Sequence, residues 1–221
     1  MVIWAASYPR AGNTMLRMLC WEVFGITSSN VYYQNDNFKR RMDYPGFMYF
    51  KDAEAIRAAW SCGAEPHLVK THMQAEEKEV GAVAPASNKT LFVVRDGRAS
   101  CVSYYHYNKE FVNAPRTLLS LAEEPYWSSL LSSWHKANPG LLLLRYEEML
   151  NNPQTVIAGI SSYLGVKAKA EWVNKFDALH VLVPSFFRKG KTDSWREEWS
   201  PELERVFMSR HGAWMEKLGY V

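Results

Sequence analysis

The chain is poor in the features that would mark several protein classes. Its 221 residues contain three cysteines, Cys20, Cys62 and Cys101, far apart and odd in number. A disulfide framework or a zinc site needs paired or closer spacing, so free thiols in a reducing compartment are expected. No apolar run reaches the roughly 20 residues that a membrane helix requires. The opening Met1-Val-Ile-Trp-Ala-Ala is apolar but lacks a basic flank and runs straight into Ser7-Tyr-Pro-Arg, unlike a secretory leader. A soluble, cytoplasmic protein is the expectation. Charge of one sign is also scarce. The net +3 is too small to argue for nucleic acid and suits a small anionic ligand. There is no internal repeat and no low-complexity tract.

What is present fits a folded domain. Hydrophobic residues make up 48% and charged residues 22%, enough for a normal core. The length predicts a single domain over 1–221. Aromatics reach 14%, with nine Trp and twelve Tyr, enough to line a pocket as well as fill a core.

Four short, nearly continuous apolar runs stand out: Val2–Ala6, His67–Lys70, Leu91–Val94 and Leu141–Leu144. Polar or turn residues follow each, the pattern of parallel strands buried on both faces. Longer segments of helical spacing lie between them. Leu16, Leu19 and Val23 share one helical face after the first strand, and Ala99, Val102 and Tyr105 do so after the third. Asn152-Pro153 reads as a helix start running towards Leu164-Gly165, and Ser200-Pro201 opens a closing helix through Arg210. Alternating strands and helices predict a three-layer α/β fold with a central parallel sheet and right-handed crossovers. Glu76-Glu-Lys-Glu reads as a solvated loop or helix face. Arg188-Lys-Gly-Lys-Thr-Asp-Ser, between Phe186-Phe187 and Trp195, reads as a mobile basic loop with aromatic anchors.

In open α/β sheets, ligands sit beyond the carboxyl ends of the strands. The first such loop is Ser7-Tyr-Pro-Arg-Ala-Gly-Asn-Thr. Successive backbone N–H groups and a helix N-terminus there can face an anion. Gly12 permits close approach, Thr14 adds a hydroxyl and Arg10 a charged donor. Compared with a Walker A loop, Ser7 replaces the first Gly and Asn13 replaces the Lys, while the cation moves to Arg10. The missing lysine counts against triphosphate hydrolysis and leaves phosphate binding standing.

This loop resembles the 5′-phosphosulfate loop of the sulfotransferases that use 3′-phosphoadenosine 5′-phosphosulfate (PAPS). Three further segments match in the same order. Lys70-Thr-His72 resembles the family's Lys-x-His catalytic element. Arg95-Asp-Gly-Arg-Ala-Ser-Cys-Val-Ser103 has the Arg-x7-Ser spacing used for the 3′-phosphate. Phe186-Phe-Arg-Lys-Gly190, with Trp195 beyond, resembles the late loop that closes over that phosphate. Beyond these three, Arg145-Tyr146-Glu-Glu, after the fourth strand, also resembles the segment whose Tyr reaches the adenine. The matches run from residue 7 to about 199.

The resemblance implies a P-loop-kinase-like fold and a PAPS-dependent sulfotransferase. The product would be an O-sulfate and 3′,5′-ADP. His72 would be the general base, with Lys70 and Arg10 stabilising charge. Arg10, Ala11, Gly12, Asn13, Thr14, Met15, Arg95, Ser103, Tyr146, Phe186, Arg188, Lys189 and Gly190 would bind the donor. The residue types suit that chemistry. A histidine of ordinary pKa about 6.5 can take the acceptor's proton. In an extended segment Lys70 and His72 point to one face. The sulfuryl group carries less charge than a phosphoryl group, so fixed cations suffice and no metal is expected.

Arg98 rivals Arg95 for the phosphate, and the other histidines, His67, His106, His135, His180 and His211, read as structural or surface groups. Met15 stands where familiar cytosolic members carry a Trp, and Ala99 replaces an acidic residue common in the Arg-x7-Ser segment. No counterpart is expected to the N-terminal extension that helps enclose acceptors in longer members, and no segment convincingly resembles the short C-terminal dimerisation segment of the cytosolic enzymes, which leaves oligomeric state open. Tyr32, Tyr33, Phe38, the Phe47–Phe50 run and the Tyr104–Tyr107 segment are expected to surround the acceptor, a phenol, hydrophobic alcohol or ring-bearing natural product. Two alternatives stand beside this reading. A P-loop small-molecule kinase is opposed by the missing lysine and the lack of a clear Walker B aspartate. A nucleotide-binding paralogue without activity is opposed by Lys70 and His72.

Overall fold

The computed structural model describes residues 1–31, 44–50, 52–61, 65–83, 89–112, 116–184 and 186–221. Along the chain run β1 (Val2–Ser7), α1 (Asn13–Phe24), β2 (Thr27–Asn30), α2 (Ala53–Ser61), β3 (His67–Thr71), α3 (Lys78–Val83) and β4 (Thr90–Val94). Then come α4 (Gly97–Phe111), α5 (Leu118–Glu123), α6 (Tyr126–Ala137), β5 (Leu142–Arg145), α7 (Tyr146–Asn151), α8 (Pro153–Leu164), α9 (Phe176–Leu182) and α10 (Pro201–Lys217). A short 3-10 turn spans Ser194–Glu197.

The chain divides into two compact units. One comprises Met1–Ser7, Gly12–Val94 and Leu130–Trp172; the other comprises Tyr8–Ala11, Arg95–Ser129 and Val173–Val221. The first holds a five-stranded sheet in the order β2-β3-β1-β4-β5. Every ladder is parallel, with Ala5 opposite Lys70, Ala6 opposite Phe92, and Val93 opposite Leu144. On one face Ile3, Ala5, Leu68, Leu91, Val93 and Leu144 pack beneath Leu16, Leu19 and Val23 of α1 and Val156, Ile157 and Ile160 of α8. Each such fully buried aliphatic side chain contributes about 1.5–3 kcal/mol. On the other face Trp4 meets Trp134 of α6, ring centroids 5.5 Å apart. Helix, sheet and helix thus form the three layers that the strand pattern predicts.

The four apolar runs are β1, β3, β4 and β5, each displaced by no more than a residue or so. A fifth strand, β2, has no apolar signature, because Thr27-Ser-Ser-Asn30 is wholly polar. Its side chains are satisfied locally instead. Thr27 Oγ1 and Ser29 Oγ each lie 2.8 Å from a ring nitrogen of His67. Ser28 Oγ and Asn30 Oδ1 accept from Arg17 of α1 at 2.9 and 3.3 Å. The closing helix runs to Lys217, seven residues past the expected Arg210. Its Ser200 side chain accepts from Leu203 N as a cap should, whereas Asn152 caps α8 without a side-chain bond.

In the second unit, α4 begins at Gly97, where an added Cβ would stand 2.3 Å from Phe207 and 2.9 Å from Trp127. Arg98 is buried among Asp96 at 2.8 Å, Glu204 at 2.9 Å and the Tyr220 carbonyl at 3.0 Å. Burial works against that charge, but Asp96 and Glu204 outweigh it and raise the guanidinium above its ordinary pKa.

Burial, Arg17 and the chain's amino terminus push the fully buried His67 imidazole down to about 3. The unfolded chain takes up a proton near pH 6.5 that the fold refuses. His67's share of stability is therefore complete above about pH 6.5 and lost as pH falls towards 3. Urea unfolding at pH 6.5 and pH 5 is expected to show a loss of about 2 kcal/mol from this residue. A His67→Gln variant that keeps the full wild-type slope would refute the assignment.

Candidate active site

In the first unit, β1 ends at Ser7 and α1 starts at Asn13. Gly12, the residue before the helix, has φ 112°, a left-handed conformation that favours glycine. A Cβ there would stand 2.5 Å from Cδ2 of Tyr146. The Tyr146 ring, assigned to the adenine on sequence, thus lies against the loop's glycine. Thr14 is half-buried on the first turn of α1, and Met15 packs against the main core cluster.

Asn13 is buried and its amide reaches back into β1. Nδ2 donates to the Ala5 carbonyl at 2.7 Å and to Ser7 Oγ at 3.1 Å. Lys70 lies near the end of β3, opposite Ala5 on one side and Asn30 on the other. His72 follows directly. Its Nδ1 lies 2.7 Å from the Ser7 carbonyl and 3.4 Å from Ser7 Oγ. A carbonyl oxygen only accepts, so Nδ1 donates and carries the ring proton. The basic lone pair is then on Nε2, the atom suited to take a proton from a hydroxyl.

The second unit holds the loop's cation. Arg10 has φ 65°, a left-handed backbone unusual outside glycine and costing of order 1–3 kcal/mol. Its guanidinium is pinned from several sides. Nε donates to Ser103 Oγ at 3.4 Å, Nη2 donates to the Phe186 carbonyl, and the group stacks on Phe186 and Tyr107 at 4.1 and 5.3 Å. Ala11 is buried, its N–H bonded to the Tyr8 carbonyl at 3.2 Å. Arg95 donates to the carbonyls of Arg10 at 3.4 Å and Lys191 at 3.0 Å. Arg10, Arg95, Ser103 and Phe186, far apart in sequence, therefore form one cluster of two guanidiniums and a hydroxyl. Such a set is matched to a phosphate.

The late loop is engaged differently. Arg188 pairs with Glu198 at 3.1 Å and Lys189 with Glu197 at 2.6 Å. Glu198 also meets His106 Nε2 at 2.6 Å. Burial alone would raise the Glu198 carboxyl, but His106 and Arg188 hold it below the usual carboxylate range. Gly190 sits against Phe176, 2.6 Å from where its Cβ would be. Arg98, the rival to Arg95, is committed to the carboxylates described above and to the Trp195 ring at 4.3 Å.

Of the residues expected around the acceptor, Tyr32, Tyr33 and Phe38 lie outside the described residues. Phe47 stacks on the buried Arg17 guanidinium at 3.7 Å, and Tyr104 and Tyr107 stack on each other at 6.3 Å. Ser7 was legible only as a loop residue. Its use as the carbonyl partner of His72 leaves no mark in a sequence, because every residue has a carbonyl.

The structure thus sets a glycine-bearing loop after the central strand β1 of a parallel sheet and the Lys70-Thr-His72 element at the end of the adjacent strand β3. The sulfotransferase domain family matches residues 2–219. The chain is 26% identical to luciferin sulfotransferase of Photinus pyralis, covering 90% of this chain and 67% of that protein. It is 24% identical to cytosolic sulfotransferase 1 of Arabidopsis thaliana, covering 90% and 74%. Among solved structures, mouse sulfotransferase SULT7A1 complexed with PAP superposes with a TM-score of 0.63 at 15% identity, over 95% of this chain and 84% of that one. The sulfotransferase domain from the curacin biosynthetic pathway gives 0.55 at 14% identity, over 96% and 97%. The chain belongs to the sulfotransferase family, and it is an enzyme of sulfuryl transfer rather than a small-molecule kinase.

The Gly12 geometry yields a direct test. Gly12→Ala should lower stability by about 1–3 kcal/mol, from the left-handed backbone and the Tyr146 clash together. Thermal unfolding checks this, and an unchanged melting temperature would mean that loop and ring yield freely.

Proposed function

We propose that this sulfotransferase uses PAPS as donor, without a metal ion, and transfers the sulfuryl group to a hydroxyl of a small molecule. The observation that carries this reading is the Ser7–His72 hydrogen bond, which orients an imidazole as a base at the strand end next to the phosphate-type loop. The residues present in each unit fit phosphate-type groups: in the second, two clustered guanidiniums and a serine hydroxyl suit one such group, and in the first, the glycine that opens α1 leaves a helix N-terminus open to an anion. A bound donor supplies an SO3 group on an anhydride bond.

His72 Nε2 accepts the acceptor's proton as its oxygen attacks in line. Lys70 and Arg10 meet negative charge on the sulfuryl and bridging oxygens, acting as fixed electrostatic partners. Backbone N–H groups of Gly12, Asn13 and Thr14 hold the 5′-phosphate, with Ala11 and Met15 flanking them in the loop. Arg95 and Ser103 hold the 3′-phosphate, joined by Arg188, Lys189 and Gly190 with Phe186, and Tyr146 faces the adenine. The solved likeness complexed with PAP supports the donor, and the likeness to a luciferin sulfotransferase supports a small-molecule acceptor. The Phe47–Phe50 and Tyr104–Tyr107 aromatics favour a phenol, hydrophobic alcohol or ring-bearing natural product. A match spanning residues 2–219 supports treating the chain as one sulfotransferase domain. The likeness to cytosolic sulfotransferase 1 of Arabidopsis thaliana supports a cytoplasmic enzyme; no described helix is long and apolar enough to cross a membrane.

Transfer from PAPS to a panel of phenols and alcohols, with 3′,5′-ADP release as readout, tests the reading. His72→Ala should lower kcat by roughly 10²–10⁴-fold while keeping donor affinity. Arg95→Ala should instead weaken 3′,5′-ADP binding by roughly tenfold or more. Equal loss of binding in both variants would overturn these roles.

A further inference from the structure

Asn13 stands in the loop where a Walker A lysine would face phosphate, yet its side chain faces the other way. The amide nitrogen carries two N–H groups, and both are engaged inside the fold, one on the Ala5 carbonyl and one on Ser7 Oγ. The assignment of nitrogen and oxygen follows from the Ala5 carbonyl, which can only accept. The remaining atom, Oδ1, is an acceptor, buried and without a hydrogen-bond partner among the described residues. An acceptor offers nothing to a phosphate, so the Asn13 side chain has no donor left for one.

The amide instead braces the point that holds the catalytic imidazole. The β1–β3 ladder ends at Ala6 opposite Thr71. Ser7 lies one residue beyond it, paired only with β4 at Val93. On its β3 side the Ser7 carbonyl meets His72 Nδ1 at 2.7 Å, with Ser7 Oγ a longer contact at 3.4 Å. Asn13 fixes Ser7 by grasping its hydroxyl and the carbonyl two residues earlier. Asn13 and Ser7 are 4% and 0% exposed, so the bracing is isolated from competing water.

We propose that Asn13 is a positioning residue for His72, acting through Ser7 to hold the ring in the tautomer with its proton on Nδ1 and its lone pair on Nε2. This rests on the role given to His72 above. An unsatisfied buried Oδ1 is costly, and a site where orientation matters is where such a cost is retained. The side chain of Asn13 thereby leaves the donor-binding set, while its backbone N–H remains in it.

Imidazole 15N NMR tests this without any acceptor, with the His72 signals assigned by their loss in His72→Gln. The wild-type protein should show a single tautomer with Nδ1 protonated. Asn13→Ala should populate both tautomers, lower kcat by roughly tenfold and leave 3′,5′-ADP affinity largely unchanged. Ser7→Ala, which keeps the carbonyl but removes the hydroxyl, should do the same to a smaller degree. It also serves as the test if Asn13→Ala folds poorly. The two changes should be less than additive in kcat. An unaltered tautomer in Asn13→Ala, or a loss of 3′,5′-ADP affinity as large as the loss in kcat, would overturn the proposal. Failure of the wild-type enzyme to bind 3′,5′-ADP would instead strike the donor reading and leave the tautomer result intact.

Discussion

The parallel register of β1 against β3 and β4 is the constraint on which the placing of Lys70 and the Ser7–His72 pairing rests. Because Ala5 stands opposite Lys70 and the β1–β3 ladder ends at Ala6 and Thr71, the next residues on each strand, Ser7 and His72, come out side by side. One residue of slip would turn Lys70 to the opposite face of the sheet and bring a different carbonyl to His72. The core opposes such a slip. Ile3, Ala5 and Leu68 share the face beneath α1, while Trp4 meets Trp134 on the other. Moving β3 by one residue would exchange Leu68 and Lys70 with His67, Val69 and Thr71 between the two faces, and moving β1 would turn the Trp4 ring onto the face beneath α1.

Positive charge is put to two different uses. Arg98 and Arg17 are structural cations. Arg98 is matched by two carboxylates, and Arg17 by hydroxyl, amide and aromatic partners along the edge strand β2. Burial without a carboxylate brings the Arg17 guanidinium down to about 9, still charged at neutral pH. Arg10 and Arg95, by contrast, donate to carbonyls and a hydroxyl, and Arg10 also stacks on ring faces. The distinction between Arg95 and Arg98, three residues apart, is one of partners and not of residue type.

Much of this was legible in the sequence. Four of the five strands announce themselves as apolar runs, because parallel strands buried on both faces must be apolar throughout. Helix starts at Pro153 and Pro201 follow from proline's fixed φ. The polar edge strand β2 is invisible to that logic, since its hydroxyls are satisfied by His67 and Arg17, two residues that fold up from elsewhere in the chain. The loop and the Lys70-Thr-His72 element were found by residue type and order. The partner of His72 was not, because a backbone carbonyl has no sequence signal, and the inward turn of Asn13 depends on where Ala5 and Ser7 lie. Pairing of Arg188 and Lys189 with Glu198 and Glu197 was equally hidden, although the four residues lie within eleven positions of one another.

The donor proposed for this enzyme is a 3′-phosphorylated adenosine nucleotide and not a triphosphate. Calorimetric titration of the protein with 3′,5′-ADP, 5′-AMP and ATP, each with and without magnesium, addresses it most directly. Binding of 3′,5′-ADP that is tightest of the three and indifferent to magnesium is the predicted result. Tighter binding of ATP that requires magnesium would contradict it.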